Sequence, residues 1–142
     1  MANESTGWGG EFWLHDGSSL VQLSLVRECG MPEVTVDQLD TSHLQSTNKF
    51  KEFIGGMKEG SEFPVIMNYV PRSATDLLCE GSIGDNRAFK IVEPDFDGVG
   101  VQDITGTVLV TGYKPDPMKP NEVRTATLMC KLVGNYTKAA AA

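Results

Sequence analysis

The stretch Glu122-Val123-Arg124-Thr125-Ala126-Thr127-Leu128-Met129-Cys130-Lys131-Leu132-Val133 decides the fold. Ala126, Leu128, Cys130 and Leu132 fall on one side, and Thr125, Thr127, Met129 and Lys131 on the other. A period of two is the mark of a strand with one buried face. The same pattern recurs upstream, at Gln102–Tyr113, at Arg87–Val92, and at Glu62–Val70, where Phe63, Val65, Met67 and Tyr69 share a face. Nearer the start, Glu11–Leu14 reads as a short strand closed by the turn Asp16-Gly17. Leu20–Val26 alternates throughout and is expected to be one half-buried strand. Glu33–Asp37 is a further strand, with Pro32 at its edge. Fifteen glycines and seven prolines punctuate the 142 residues, a density that favours many short strands over long helices.

Two segments depart from this pattern. Ser73–Glu80 is the one good helix: Pro71 precedes it, Ser73 caps it, Asp76 stands at the capping-box position and Gly81 stops it. Its expected apolar face is Ala74, Leu77 and Leu78. The other is residues 38–60, polar, with Gly55-Gly56 and Gly60, and with apolar content at Phe50, Phe53, Ile54 and Met57. It reads as a long loop, and loops of that length in a small domain usually carry function. Residues 1–11 read as an N-terminal arm and 135–142 as a flexible C-terminal tail. The resulting fold class is mainly β, an antiparallel β-sandwich or small barrel with one short flanking helix and one long loop, in a single domain over 1–142.

Composition narrows the function. Twelve Lys and Arg stand against 19 Asp and Glu, a formal net charge of −7. That is the wrong sign for a general nucleic-acid binder, which neutralises phosphate with a basic face. No apolar stretch approaches the roughly 18 residues of a membrane span, so no membrane partner is expected. Residues 1–10 lack the cationic start and apolar run of a secretory signal. Cys29, Cys79 and Cys130 are odd in number and without CxxC spacing, which fits reduced, buried thiols and neither a zinc site nor a disulfide framework. Asp40, Ser42 and His43 offer the residue types of a catalytic triad, but as neighbours in one polar loop without a nucleophile elbow. Asp95-Phe96-Asp97-Gly98 lacks the closing Glu of a calcium loop. No catalytic residue, metal site or cofactor is expected, and the chain is read as non-enzymatic. What stands out is charge placement. Glu28, Glu33, Asp37 and Asp40 form one acidic stretch, Glu93, Asp95, Asp97 and Asp103 a second, and Lys49, Lys51 and Lys58 gather in the loop between. Head-to-tail self-association can use such segregation.

The order and spacing of several motifs resemble the tail tube (major tail) proteins of long, non-contractile-tailed bacteriophages, the siphovirus type. The residues that carry the resemblance begin with Gly7-Trp8-Gly9-Gly10-Glu11-Phe12-Trp13-Leu14. Thr41-Ser42-His43-Leu44 and Lys51-Glu52-Phe53-Ile54-Gly55-Gly56-Met57 follow, then Asn68-Tyr69-Val70-Pro71 and Ser73–Leu78. Arg87–Val92, the glycine-flanked Gly106–Gly112 and a strand ending at Gly134 complete the set. One departure is Arg72, where the family pattern has glycine after the proline.

The resemblance implies a fold related to type VI secretion tube proteins. It implies a structural virion protein whose six-membered rings stack into a hollow tail conducting DNA from capsid to host. It implies partners: further copies of the chain, a tape measure protein, a tail terminator, distal tail and baseplate proteins, and DNA passing without specific binding. Assembly in the bacterial host cytoplasm and residence in the virion tail go with it. Asp40, Thr41, Ser42, His43, Leu44, Lys49, Phe50, Lys51, Phe53, Ile54 and Lys58 become candidates for contact between rings. Glu33, Asp37, Asp95, Asp97 and Asp103 become candidates for an acidic lumen, since six copies at −7 give −42 per ring and like charge keeps DNA off the wall. Two other readings stand beside this one. The first is the tube protein of a contractile tail or secretion system; the second, of a different class, is a monomeric β-sandwich that binds a small ligand.

Overall fold

The structure is a computed structural model that describes residues 8–45, 47–95 and 99–140. Nine strands and one helix follow in the order β1 (Glu11–His15), β2 (Leu20–Gln22), β3 (Val26–Cys29), β4 (Val34–Asp40), β5 (Phe53–Gly60), β6 (Glu62–Asn68), α1 (Ala74–Gly81), β7 (Asn86–Pro94), β8 (Gly100–Pro115) and β9 (Thr125–Ala140). Seven of the strands make one antiparallel sheet in the order β2-β1-β7-β8-β9-β6-β3, and β4 and β5 pair separately.

The sheet curls on itself. Its two outermost strands, β2 and β3, are separated by only Leu23, Ser24 and Leu25. Four Cα steps reach at most about 14 Å, so the two edges are held together. Leu23 N–H donates to Phe12 O at 2.9 Å on one side of this link, and Asn68 N–H donates to Leu25 O at 2.9 Å on the other. The alternating side chains then line a small barrel. Phe12, Phe63 and Phe89, from β1, β6 and β7, meet with ring centroids 5.8 to 6.4 Å apart. Ala126, Leu128, Cys130 and Leu132 are all buried, as the period-two pattern predicts.

Four expectations are corrected. Leu20–Val26 is not one strand: Leu25 takes φ 59°, which breaks the run so that its halves join opposite edges of the sheet. Residues 38–60 are not a loop but most of a two-stranded hairpin, because Val36↔Lys58, Leu39↔Ile54 and Asp40↔Phe53 pair. The segment 135–140 is not a tail but continues β9, with Thr137↔Thr105 and Ala140↔Gln102 in register against β8.

The fourth correction concerns α1. Ser73 caps it as expected, accepting from Asp76 N–H at 3.2 Å. The buried face, however, runs through Leu78, Cys79 and Ser82, while Leu77 is 57 % exposed. Polar contacts turn the helix. Tyr113 Oη donates to Asp76 Oδ1 at 2.9 Å, and Thr75 Oγ1 lies 2.9 Å from Ser24 Oγ. Arg72, the residue standing where glycine was expected, has φ 61°. That is left-handed backbone, so the departure from the family pattern falls where a side chain is least welcome.

Candidate assembly interface

The hairpin β4–β5 carries a group of exposed apolar side chains. Val36, Leu39, Phe53, Ile54 and Met57 are all exposed, Met57 at 83 %. The register places Val36 and Phe53 on one face of the ribbon and Leu39 and Ile54 on the other, with Met57 at the bulge between. A two-stranded ribbon has no second layer of its own, so side chains on both faces stay open to whatever lies beside them.

Its root is rigid. Ser61 N–H donates to Glu33 O at 2.7 Å, and Leu132 N–H donates to Ser61 O at 3.0 Å. A Cβ on Gly60 would stand 2.3 Å from Leu132 O, so only glycine lets the arm leave the barrel this close to β9. The tip, residues 41–52, is organised by short polar side chains. Ser42 N–H donates to Asp40 Oδ1 at 2.8 Å, and Glu52 N–H donates to Ser42 Oγ at 2.6 Å. The bonds from Ser42 hold the Asp40 carboxyl below the ordinary aspartate range. His43 Nε2 is 3.6 Å from Glu52 Oε2. Asp40, Ser42 and His43 thus build a turn, each engaged with the backbone or with Glu52. Asn48 and Lys49 are both left-handed, at φ 54° and 64°, and they present Phe50, 73 % exposed, between Lys49 and Lys51.

The candidate lumen acids lie on separate elements. Glu33 and Asp37 are exposed at the arm's root and on β4. Asp95 closes the turn after β7, its Oδ1 accepting from Val99 N–H at 2.9 Å. Asp103 on β8 is only 16 % exposed and lies 3.7 Å from Lys90 Nζ, which sits over the Trp13 ring. Asp97 lies outside the described residues, as does most of the aspartate loop around it. The outward positions of β8 and β9 carry Thr105, Thr107, Thr111, Thr125 and Thr127 beside Asp103, Leu109, Met129 and Lys131, a threonine-rich surface with few charges. Their alternation with the buried set was the available signal for it in the sequence. Among the described residues, no group of three or more His, Cys, Asp or Glu side chains is placed to hold a metal ion.

No protein-family model and no curated protein sequence matches the chain. Solved structures do. A chain of the anti-feeding prophage baseplate superposes with TM-score 0.80 at 9% identity, covering 98% of this chain and 97% of that one. A chain from the tail of an empty gene transfer agent particle gives 0.75 at 16%, covering 96% and 100%. The SPP1 tail tube gives 0.71 at 11%, covering 97% and 80%. The chain therefore has the tail-tube fold, an antiparallel β architecture with one helix, as the sequence resemblance implies.

Proposed function

We propose that the protein is the repeating subunit of a hollow tail tube, a structural virion protein whose rings stack and conduct DNA. The observation that carries this reading is the β4–β5 arm, which presents apolar side chains on both faces with nothing among the described residues to bury them. A monomer rarely keeps such a surface, whereas a heterologous contact between copies buries it and propagates. The fold supports the same reading. Two of the assemblies it resembles are six-fold symmetric, which supports six-membered rings here. The likeness to a phage tail tube supports the non-contractile type, and a contractile or secretion tube would use the same arm. Tube terminator, baseplate and tape measure proteins are the partners such a tube requires. The −7 charge per copy and the threonine-bearing sheet suit a wall that DNA passes without adhering. Glu33, Asp37 and Asp95 are candidates for that wall, and Asp103, 3.7 Å from Lys90 Nζ, contributes less charge to it.

The purified chain is expected to form tubes or rings about 100 Å wide, from six touching globules of this size. Replacing residues 42–52 by a two-residue turn is expected to leave a folded monomer that no longer polymerises. Negative-stain microscopy and circular dichroism read both. Tubes formed by the shortened chain would sink the role of the arm.

A further inference from the structure

The barrel carries a groove where its seam is incompletely paired. The groove lies between the start of β1, the free edge of β3 and the end of β7, and has a volume of about 630 Å³. Val26, Met31 and Pro94 are among its apolar lining. Glu11, Glu28 and Glu93 stand around it against a single arginine, Arg27. Glu11 and Glu93 accept hydrogen bonds from neutral donors, Trp13 Nε1 at 3.0 Å and Gln102 Nε2 at 3.3 Å, so their charges are not cancelled there. The groove is thus apolar within and acidic at its rim.

The tip of the arm is its complement, an aromatic ring between two lysines. Among the described residues neither Lys49 nor Lys51 takes part in an ion pair. The tip cannot enter the groove of its own chain. Met31 lines the groove and β4 starts three residues later, so the arm is rooted beside it. The seven residues of β4 then carry the tip roughly 23 Å away. We propose that the seam groove is the receptor for the arm tip of a second copy. Phe50 seats among the apolar lining, and Lys49 and Lys51 meet the glutamates. Root and tip lie at opposite ends of one arm. Each copy therefore offers a tip in one direction and a groove in the other, an open head-to-tail contact that repeats along an axis. This inference rests on the arm-mediated tube proposed above and adds the surface that receives the arm.

The test mixes two full-length variants, Lys51→Cys and Met31→Cys, under mild oxidation during assembly. The expected result is a disulfide between residue 51 of one copy and residue 31 of another, identified by peptide mass. A second arm uses charge. Lys49→Glu with Lys51→Glu is expected to raise the concentration needed for tube growth about tenfold or more, and adding Glu28→Lys to recover much of it. Tubes that form without the 51–31 link and without rescue by Glu28→Lys overturn the groove as receptor while leaving the arm's role intact. Tubes from the chain lacking 42–52 overturn the arm reading itself, and the two failures are thereby distinguished.

Discussion

At the residue scale, backbone conformation decides more than side-chain chemistry. Leu25, Asn48, Lys49 and Arg72 all take left-handed φ without being glycine. Leu25 turns the chain from one sheet edge to the other, Asn48 and Lys49 shape the tip, and Arg72 sets the approach to α1. An L-residue there costs roughly 1–2 kcal/mol, part of which glycine returns as unfolded-state entropy. Arg72→Gly is therefore expected to stabilise the fold by about 0.5 kcal/mol, seen as a higher urea midpoint at unchanged slope. The Arg72 position was visible in the sequence as a departure from a pattern. The conformation of Leu25 was not, because strict alternation on either side of it looks like one continuous strand.

At the element scale, pattern read the strands and misread what joined them. Buried alternation in β6, β7 and β9 identified those elements and their inward residues, since one face of each packs on the phenylalanine cluster. Residues 38–60 gave no such signal because both faces of that ribbon are exposed, and alternation appears only where one side is buried. The same blindness affected 135–140, small and polar yet paired with β8. Tyr136 in that segment packs against the core. Removing residues 136–142 is expected to cost about 2 kcal/mol, mainly through loss of Tyr136 burial, and to lower the melting temperature measured by circular dichroism. A frayed tail would leave it unchanged. For α1, the apolar periodicity named the helix but not its inner face, which two hydrogen-bonding side chains, Thr75 and Asp76, turned toward the barrel.

At the scale of the whole molecule, burial of the cysteines couples stability to alkaline pH. Cys29, Cys79 and Cys130 lie in or against one core, and burial pushes each thiol up to about 12 from an ordinary 9.0. Burial and its bond to Asp76 push Tyr113 upward as well. Above about pH 9 the unfolded chain releases thiol protons that the folded chain keeps, so the folded state binds more protons and stability falls as pH rises. The contribution is full below pH 9 and lost toward 12. Urea midpoints should decline across that window, and Cys29→Ala should make the decline shallower. Charge, core periodicity and the helix cap were legible in the linear chain because each depends on residue identity and near neighbours. Which strand edges meet, where the acids come to lie and which apolar side chains remain uncovered depend on contacts between distant residues. Closure of the barrel through Leu23–Leu25 settled the first, and the close approach of Gly60 to Leu132, which directs the arm away from the sheet, settled the last.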